Sequence, residues 1–141
     1  HCLKEAIPLI KKSEQGSIVN IASSASFYGF PFRSPYTAAK WATIGMTKTL
    51  AMELGPQGIR VNAICPGSVS GERIDRVIKA DAEEQNKTIE EIKSVYVKQV
   101  SMRTFVEPDD VANLILFLAS PMGRFISGQA IGLDGNTEVK W

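Results

Sequence analysis

Two short runs constrain this chain more than any other feature: "GSIVNIAS" at 16–23 and "IRVNAIC" at 59–65. Both are rich in β-branched residues and carry apolar side chains on both alternating faces, so neither reads as a half-solvated strand. Ile18, Val19 and Ile21 predict a first strand buried on both faces. The second run predicts another, ending at Pro66-Gly67, and "QAIGLDG" at 129–135 predicts a short last one. Strands of this kind, separated by helices, belong to a parallel sheet with right-handed crossovers.

The segments between them carry helical signals. Leu3, Ile7 and Ile10 recur at helical spacing, with Pro8 as a candidate kink. "SPYTAAKWATIGMTKTLAMEL" at 34–54 is expected to open on Ser34 as N-cap with Pro35 in the first helical position. Gly55-Pro56, a left-handed stop followed by a breaker, should close it. The charged stretch from Gly71 to Met102 predicts two amphipathic helices. Ile74, Val77 and Ile78 mark the first, and Ile92, Val95 and Tyr96 the second, which Thr88 and Glu91 open as a capping box. A further helix starts at Glu107-Pro108, is expected to bury Val111, Leu114, Ile115 and Leu118, and ends near Ser120-Pro121. The class is α/β, a partial Rossmann-like doubly wound parallel sheet of about three strands. Three strands are few for such a sheet, and the first helix has no strand before it, so the chain reads as the second half of a larger domain.

Composition excludes several functions. Net charge is +1 with no basic stripe, which gives no electrostatic case for nucleic acid or an acidic membrane surface. The apolar runs are too short to span a bilayer and no charged-then-apolar leader is visible. Cys2 and Cys65 are widely spaced and have no histidine cluster beside them. They read as reduced thiols in a reducing, cytoplasmic compartment, with no bridge and no metal site. His1, the only histidine, reads as a tag remnant or a trimmed end rather than a ligand.

The chemistry-bearing residues gather at one predicted place. Tyr36 and Lys40 lie one turn apart on one helix face, and a lysine charge beside a phenol favours the phenolate. Ser23 ends the first strand, and Pro66-Gly67 ends the second. In open α/β sheets the carboxyl ends of strands are where ligands bind, so these features converge on one rim. Ser24 competes with Ser23, but adjacent residues of an extended chain point to opposite sides and only one aims at the site.

The pattern "IVNIASSAS…SPYTAAKWATIGMTKTLAMEL…IRVNAICPGSVSGERI…ISGQAIGLDG" closely resembles the C-terminal half of the short-chain dehydrogenase/reductase family, over nearly the whole chain. The resemblance implies one Rossmann-fold domain of which residues 1–141 are the C-terminal part, with a substrate lid at about 71–104. It implies reversible hydride transfer between NAD or NADP and a small-molecule carbonyl/alcohol pair. Ser23 would polarise the substrate oxygen, Tyr36 would be the general acid/base, and Lys40 would assist Tyr36 and bind the nucleotide ribose. Pro66, Gly67 and the backbone at Val69 would hold the nicotinamide end of the cofactor. Where the family commonly has a threonine this chain has Gly71, with Ser70 as the substitute, and "DGN" stands where the family has a double glycine. No glycine-rich strand-to-helix turn is present to cradle a pyrophosphate. Tyr96 and Met102 are candidates for lining the substrate pocket. The family also implies a homo-oligomer, dimer or tetramer, and the small residues Ala38, Ala42 and Gly45 suit close helix approach. Two other readings stand beside this one. The chain is an inactive interaction or oligomerisation module of the same descent, or a hydrolase using Ser23, which a lone terminal histidine supports poorly.

Overall fold

A computed structural model of the chain describes residues 2–137; His1 lies outside them. The strands β1 (Ser17–Ile21), β2 (Arg60–Pro66) and β3 (Ala130–Leu133) form one parallel sheet in the order β1-β2-β3. Register is continuous, with Ile18 opposite Val61 and Ile64 opposite both Ile21 and Ile131. The helices are α1 (Cys2–Ile10), α2 (Ser34–Leu54), α3 (Glu72–Gln85), α4 (Ile89–Lys98) and α5 (Pro108–Ala119). This is the expected Rossmann-like arrangement. The order of elements matches the sequence reading throughout.

Alternation along β2 assigns the two faces. Val61, Ala63 and Cys65 point towards α2, where Ile18, Leu54 and Ile59 join Val61 in one buried cluster and Ala22 joins Ala63 and Cys65 in a second. Leu3, Ile7 and Ile10 of α1 close over the first cluster, so the helical spacing read from them is the packing face. Ser17 and Arg60 point the other way, and both donate to the Leu118 carbonyl at the end of α5. Helices therefore cover both sides of the sheet, as a doubly wound topology requires.

Five local expectations are corrected, four of them in the sheet and the helices beside it. The first strand is not buried on both faces: Ile18 is buried, but Ile21 is 45% exposed. β1 is at the edge of the sheet and has one hydrogen-bonded neighbour, whereas β2 has two and is buried from Val61 to Pro66. The N-cap of α2 is Arg33, and Ser34 lies inside the helix without capping it. Pro35 still falls in the first turn, where its missing N–H costs nothing. The left-handed residue closing that segment is Gly58 (φ 75°), because Gly55 remains helical and leads into a short 3-10 turn. On α5 only Leu118 is buried, and Val111, Leu114 and Ile115 are half-buried.

The charged stretch forms the helical hairpin α3–α4. Ile78, Ala82 and Ile92 make its own small core, with Ile74, Tyr96 and Phe105 packed around it. Val95, expected on the same face, is 39% exposed. Asn86 ends α3 in the left-handed conformation that asparagine tolerates (φ 50°). The capping box forms as read: the Thr88 N–H donates to Glu91 Oε2 at 2.8 Å and the Glu91 N–H to Thr88 Oγ1 at 3.1 Å. These donors hold the Glu91 carboxyl below the usual carboxylate range.

Asn62 is the polar exception inside the sheet. Its side chain is fully buried; Nδ2 donates to the Ile126 carbonyl at 2.8 Å and Oδ1 accepts from the Gln129 N–H at 3.1 Å. It straps the segment before β3 to the central strand. Replacing it by alanine leaves the part-buried Ile126 carbonyl and Gln129 N–H without this partner, so Asn62→Ala should cost about 2 kcal/mol. Urea unfolding of the two proteins measures this, and a loss within experimental scatter would show that the strap contributes nothing.

Candidate functional site

A cleft of about 850 Å³ opens where the carboxyl ends of β1 and β2 meet the α3–α4 hairpin. Ser23, Tyr36, Lys40, Pro66, Gly67 and Val69 all line it. The six residues assigned from sequence to catalysis and cofactor contact are thus brought to one place.

Each is held there by an identifiable local cause. Past β1 the Ala22 N–H still pairs with the Ile64 carbonyl at 2.8 Å, which carries the sheet register to the edge of the cleft. Ser23 then caps a 3-10 turn, Ser24–Ser26, its Oγ accepting from the Ala25 N–H at 3.2 Å. Trp41 Nε1 donates to the Ala25 carbonyl at 3.0 Å and ties this turn to α2. Both serines line the cleft: Ser23 is half-buried, and Ser24 is buried beside the Tyr28 phenol, whose pKa burial pushes up. Tyr36 sits in the first turn of α2, and Lys40 follows one turn later. Lys40 Nζ donates to the Ile21 carbonyl at 3.0 Å and lies 5.8 Å from the centre of the Tyr36 ring. The end of the edge strand therefore fixes the ammonium against the phenol.

The turn after β2 forms the floor. The Gly67 N–H donates to the Leu133 carbonyl at 3.0 Å, and a Cβ at Gly67 would stand 2.9 Å from Asp134 Cβ, so only glycine lets the two turns approach this closely. Val69 makes an isolated parallel bridge with Val106. The bridge uses the Ser68 carbonyl and the Ser70 N–H, which leaves the N–H and C=O of Val69 itself pointing to the opposite side of the strand. Ser70, the candidate substitute for the missing threonine, gives its hydroxyl to Glu107 Oε1 at 2.8 Å. Cys65 lies beneath this floor, wholly buried; burial pushes its thiol up, Asp134 adds to the effect, and the Ser23 backbone and Lys40 oppose it.

The outer wall holds residues that the sequence reading passed over. Phe30, Phe32 and Arg33, from the loop before α2, line the cleft together with Tyr96 of the hairpin. The Tyr96 hydroxyl donates to Asp81 Oδ2 at 2.7 Å, and Arg33 Nη2 stands 3.8 Å from Asp81 Oδ1. Burial first, then the Asp81 carboxylate, pushes the Tyr96 pKa up, so this phenol stays protonated as a donor. Asp81 thereby joins the hairpin to the loop that leads into Tyr36. The aromatic density of "GFPFR" at 29–33 was the available signal; the Asp81 partnership crosses 48 positions from Arg33 and leaves none. Met102, the other pocket candidate, is not in the lining: it is 69% exposed and packs beside Gly135.

Comparisons with known proteins bear on this arrangement. Residues 1–136 match the family model described as enoyl-(acyl carrier protein) reductase. The chain is 38% identical over 136 residues to a D-beta-hydroxybutyrate dehydrogenase of Rhizobium meliloti, covering 96% of this chain and 53% of that one. The solved sorbitol-6-phosphate 2-dehydrogenase SrlD of Erwinia amylovora matches 99% of this chain and 55% of its own, at 30% identity and a TM-score of 0.90. A 4-hydroxyisoleucine dehydrogenase complexed with NADH matches 96% of this chain and 52% of its own, at 34% identity and a TM-score of 0.73. The chain spans about half the length of the relatives it matches.

The two cysteines should separate chemically. Cys2 is exposed, whereas Cys65 is buried with its thiol pushed up, so it offers neither access nor thiolate. Under native conditions a disulfide reagent such as Ellman's should titrate one thiol quickly, with the second appearing only in denaturant. Rapid reaction of both would mean that the floor of the cleft opens readily.

Proposed function

Since the chain belongs to the short-chain dehydrogenase/reductase family, we propose that residues 1–141 form the C-terminal part of one Rossmann-fold domain, with a substrate lid at about 71–104. Its cleft serves reversible hydride transfer between NAD or NADP and a small-molecule carbonyl/alcohol pair. The observation that carries this reading is the meeting of Ser23, Tyr36 and Lys40 in one cleft, with Lys40 anchored to the Ile21 carbonyl beside the Tyr36 ring.

The residues fit a nicotinamide nucleotide. Val69 has a backbone donor and acceptor outside the bridge, suited to a carboxamide, and Lys40 has ammonium hydrogens left for ribose hydroxyls after its one bond to Ile21. Pro66 and Gly67 set the turn that holds Val69. When bound, the nucleotide supplies or accepts the hydride. In the reducing direction Tyr36 gives its hydroxyl proton to the carbonyl oxygen, and in the oxidising direction it takes the proton back from the alcohol. Ser23 donates a hydrogen bond to the same oxygen, and Lys40 stabilises the negative charge on Tyr36 once its proton has left. The sequence contains no glycine-rich turn, so a pyrophosphate cradle has to come from outside these residues.

Tyr36→Phe removes the transferable proton and keeps the ring. It should lower kcat by about 10²–10⁴-fold while leaving the unfolding midpoint in place. Retained turnover with a nicotinamide cofactor would remove Tyr36 from its role.

The proposal extends to a cytoplasmic homo-oligomer, a dimer or a tetramer. Support comes from α2, whose outer side exposes Trp41 (50%), Met46 (42%) and Met52 (81%) around the small residues Ala42 and Gly45. Apolar side chains on both sides of one helix mark a helix with a second partner. Sedimentation equilibrium at micromolar concentration should give a dimer or tetramer, and a cooperatively unfolding monomer would overturn this part.

A further inference from the structure

Charge is unevenly placed around the cleft. Hydroxyls and hydrocarbon both line it, with Ser24 and Ser68 beside Phe30 and Val77, so polarity alone selects no substrate. The charged residues are more specific. Arg33, Lys40, Glu72 and Arg73 line the cleft. Arg33 Nη2 stands 3.8 Å from Asp81 Oδ1, and Glu72 Oε2 stands 3.7 Å from Arg76 Nη1, so both have a counter-charge. Lys40 Nζ donates to the neutral Ile21 carbonyl and keeps its full charge. Arg73 has no hydrogen bond and no ion pair among the described residues. The cleft therefore carries uncompensated positive charge at Lys40 and Arg73 and no uncompensated negative charge, in a chain whose net charge is +1.

Arg76 makes the contrast clear. It follows Arg73 by one turn on α3, lies outside the cleft lining and is paired with Glu72. Asp75, the other acid of that first turn, is also outside the lining. The helix thus provides a partner for the arginine away from the cleft and leaves the one at the cleft free. A cleft with apolar walls focuses the field of such a charge, so an anion gains more there than on open surface. A guanidinium presents a planar fork of donors that matches the paired oxygens of a carboxylate or a phosphate, and it cannot lose its proton.

Ser23 and Tyr36 stand at the end of β1 and the start of α2, whereas Arg73 belongs to the α3–α4 hairpin. With Lys40 serving Tyr36 and the nucleotide, Arg73 is the cation left for a substrate. We infer that Arg73 is a specificity-determining residue that receives an anionic group, a carboxylate or a phosphate, which the substrate carries apart from its reacting carbonyl or alcohol carbon. The inference rests on the hydride-transfer reading only for the position of the reacting oxygen at Ser23 and Tyr36.

The test uses two pairs of probes on the purified protein: levulinate with methyl levulinate, and dihydroxyacetone phosphate with dihydroxyacetone. Each pair shares a carbonyl and differs in charge. Binding is read by NMR titration, which needs no turnover, and reaction by nicotinamide absorbance. In at least one pair the charged probe should bind about tenfold tighter than the neutral one, and the pair that shows this separates carboxylate from phosphate. Arg73→Gln alters an exposed side chain and should remove that preference while leaving the neutral probe unchanged. Arg73→Lys keeps the charge without the fork and should fall between. Arg76→Gln removes the same charge outside the cleft and should change nothing. No preference in either pair, equal losses in Arg73→Gln and Arg76→Gln, or a preference that survives Arg73→Gln would overturn the inference. So would an Arg73→Gln effect confined to NADH titrated alone, since the anion read would then be the cofactor's. Charged-probe binding that depends on Arg73 without turnover of any probe upholds the anion contact and overturns the hydride-transfer reading instead. Turnover of neutral probes in preference to charged ones does the reverse.

Discussion

β2 has a hydrogen-bonded strand on each edge and a helix against each face, and it is buried from Val61 to Pro66. Among the described residues no other element is constrained from four sides. Its length fixes where the chain must turn at Pro66-Gly67, and its register with β1 fixes where Ser23 emerges. Asn62 extends the same control to β3 by holding both a donor and an acceptor of the segment before it. A close-packed sheet transmits such constraints with little slack, which is how residues distant in sequence reach one cleft.

Around this centre the cleft is assembled from parts that pack on separate clusters. Ser23, Tyr36 and Lys40 stand on the end of a strand and the first turns of a long helix, cross-linked by Trp41 to Ala25 and by Lys40 to Ile21. The α3–α4 hairpin has a small core of its own and meets the cleft through the outer wall, where Tyr96, Asp81 and Arg33 connect it to the loop before α2.

Much of this was legible in the sequence. Apolar runs with β-branched residues announced three parallel strands between helices, although only β2 is buried along its length. Leu3, Ile7 and Ile10 declared the packing face of α1 through spacing alone, and Thr88 with Glu91 declared a helix start through a bond spanning three residues. The misreadings were of another kind. Ser34 and Gly55 have the right chemistry for helix ends, yet Arg33 and Gly58 take those places, since the boundary is set by where the helix must stop against the sheet. Ile21 has the composition of a buried strand residue and is half exposed because its strand is at the edge.

The sequence by itself determined the α/β class, the order of the elements and the residues that could do chemistry at the ends of the strands. Those properties reside in periodicity and in short-range bonds, which act within a few residues of one another. Only the tertiary structure decided which strand is central, that Ser24 is buried beside Tyr28 while Ser23 is half-buried, and that Asp81 engages Tyr96 and Arg33. Each of these depends on contacts between segments far apart in the chain, and their energies come into play only once the sheet has brought the segments together.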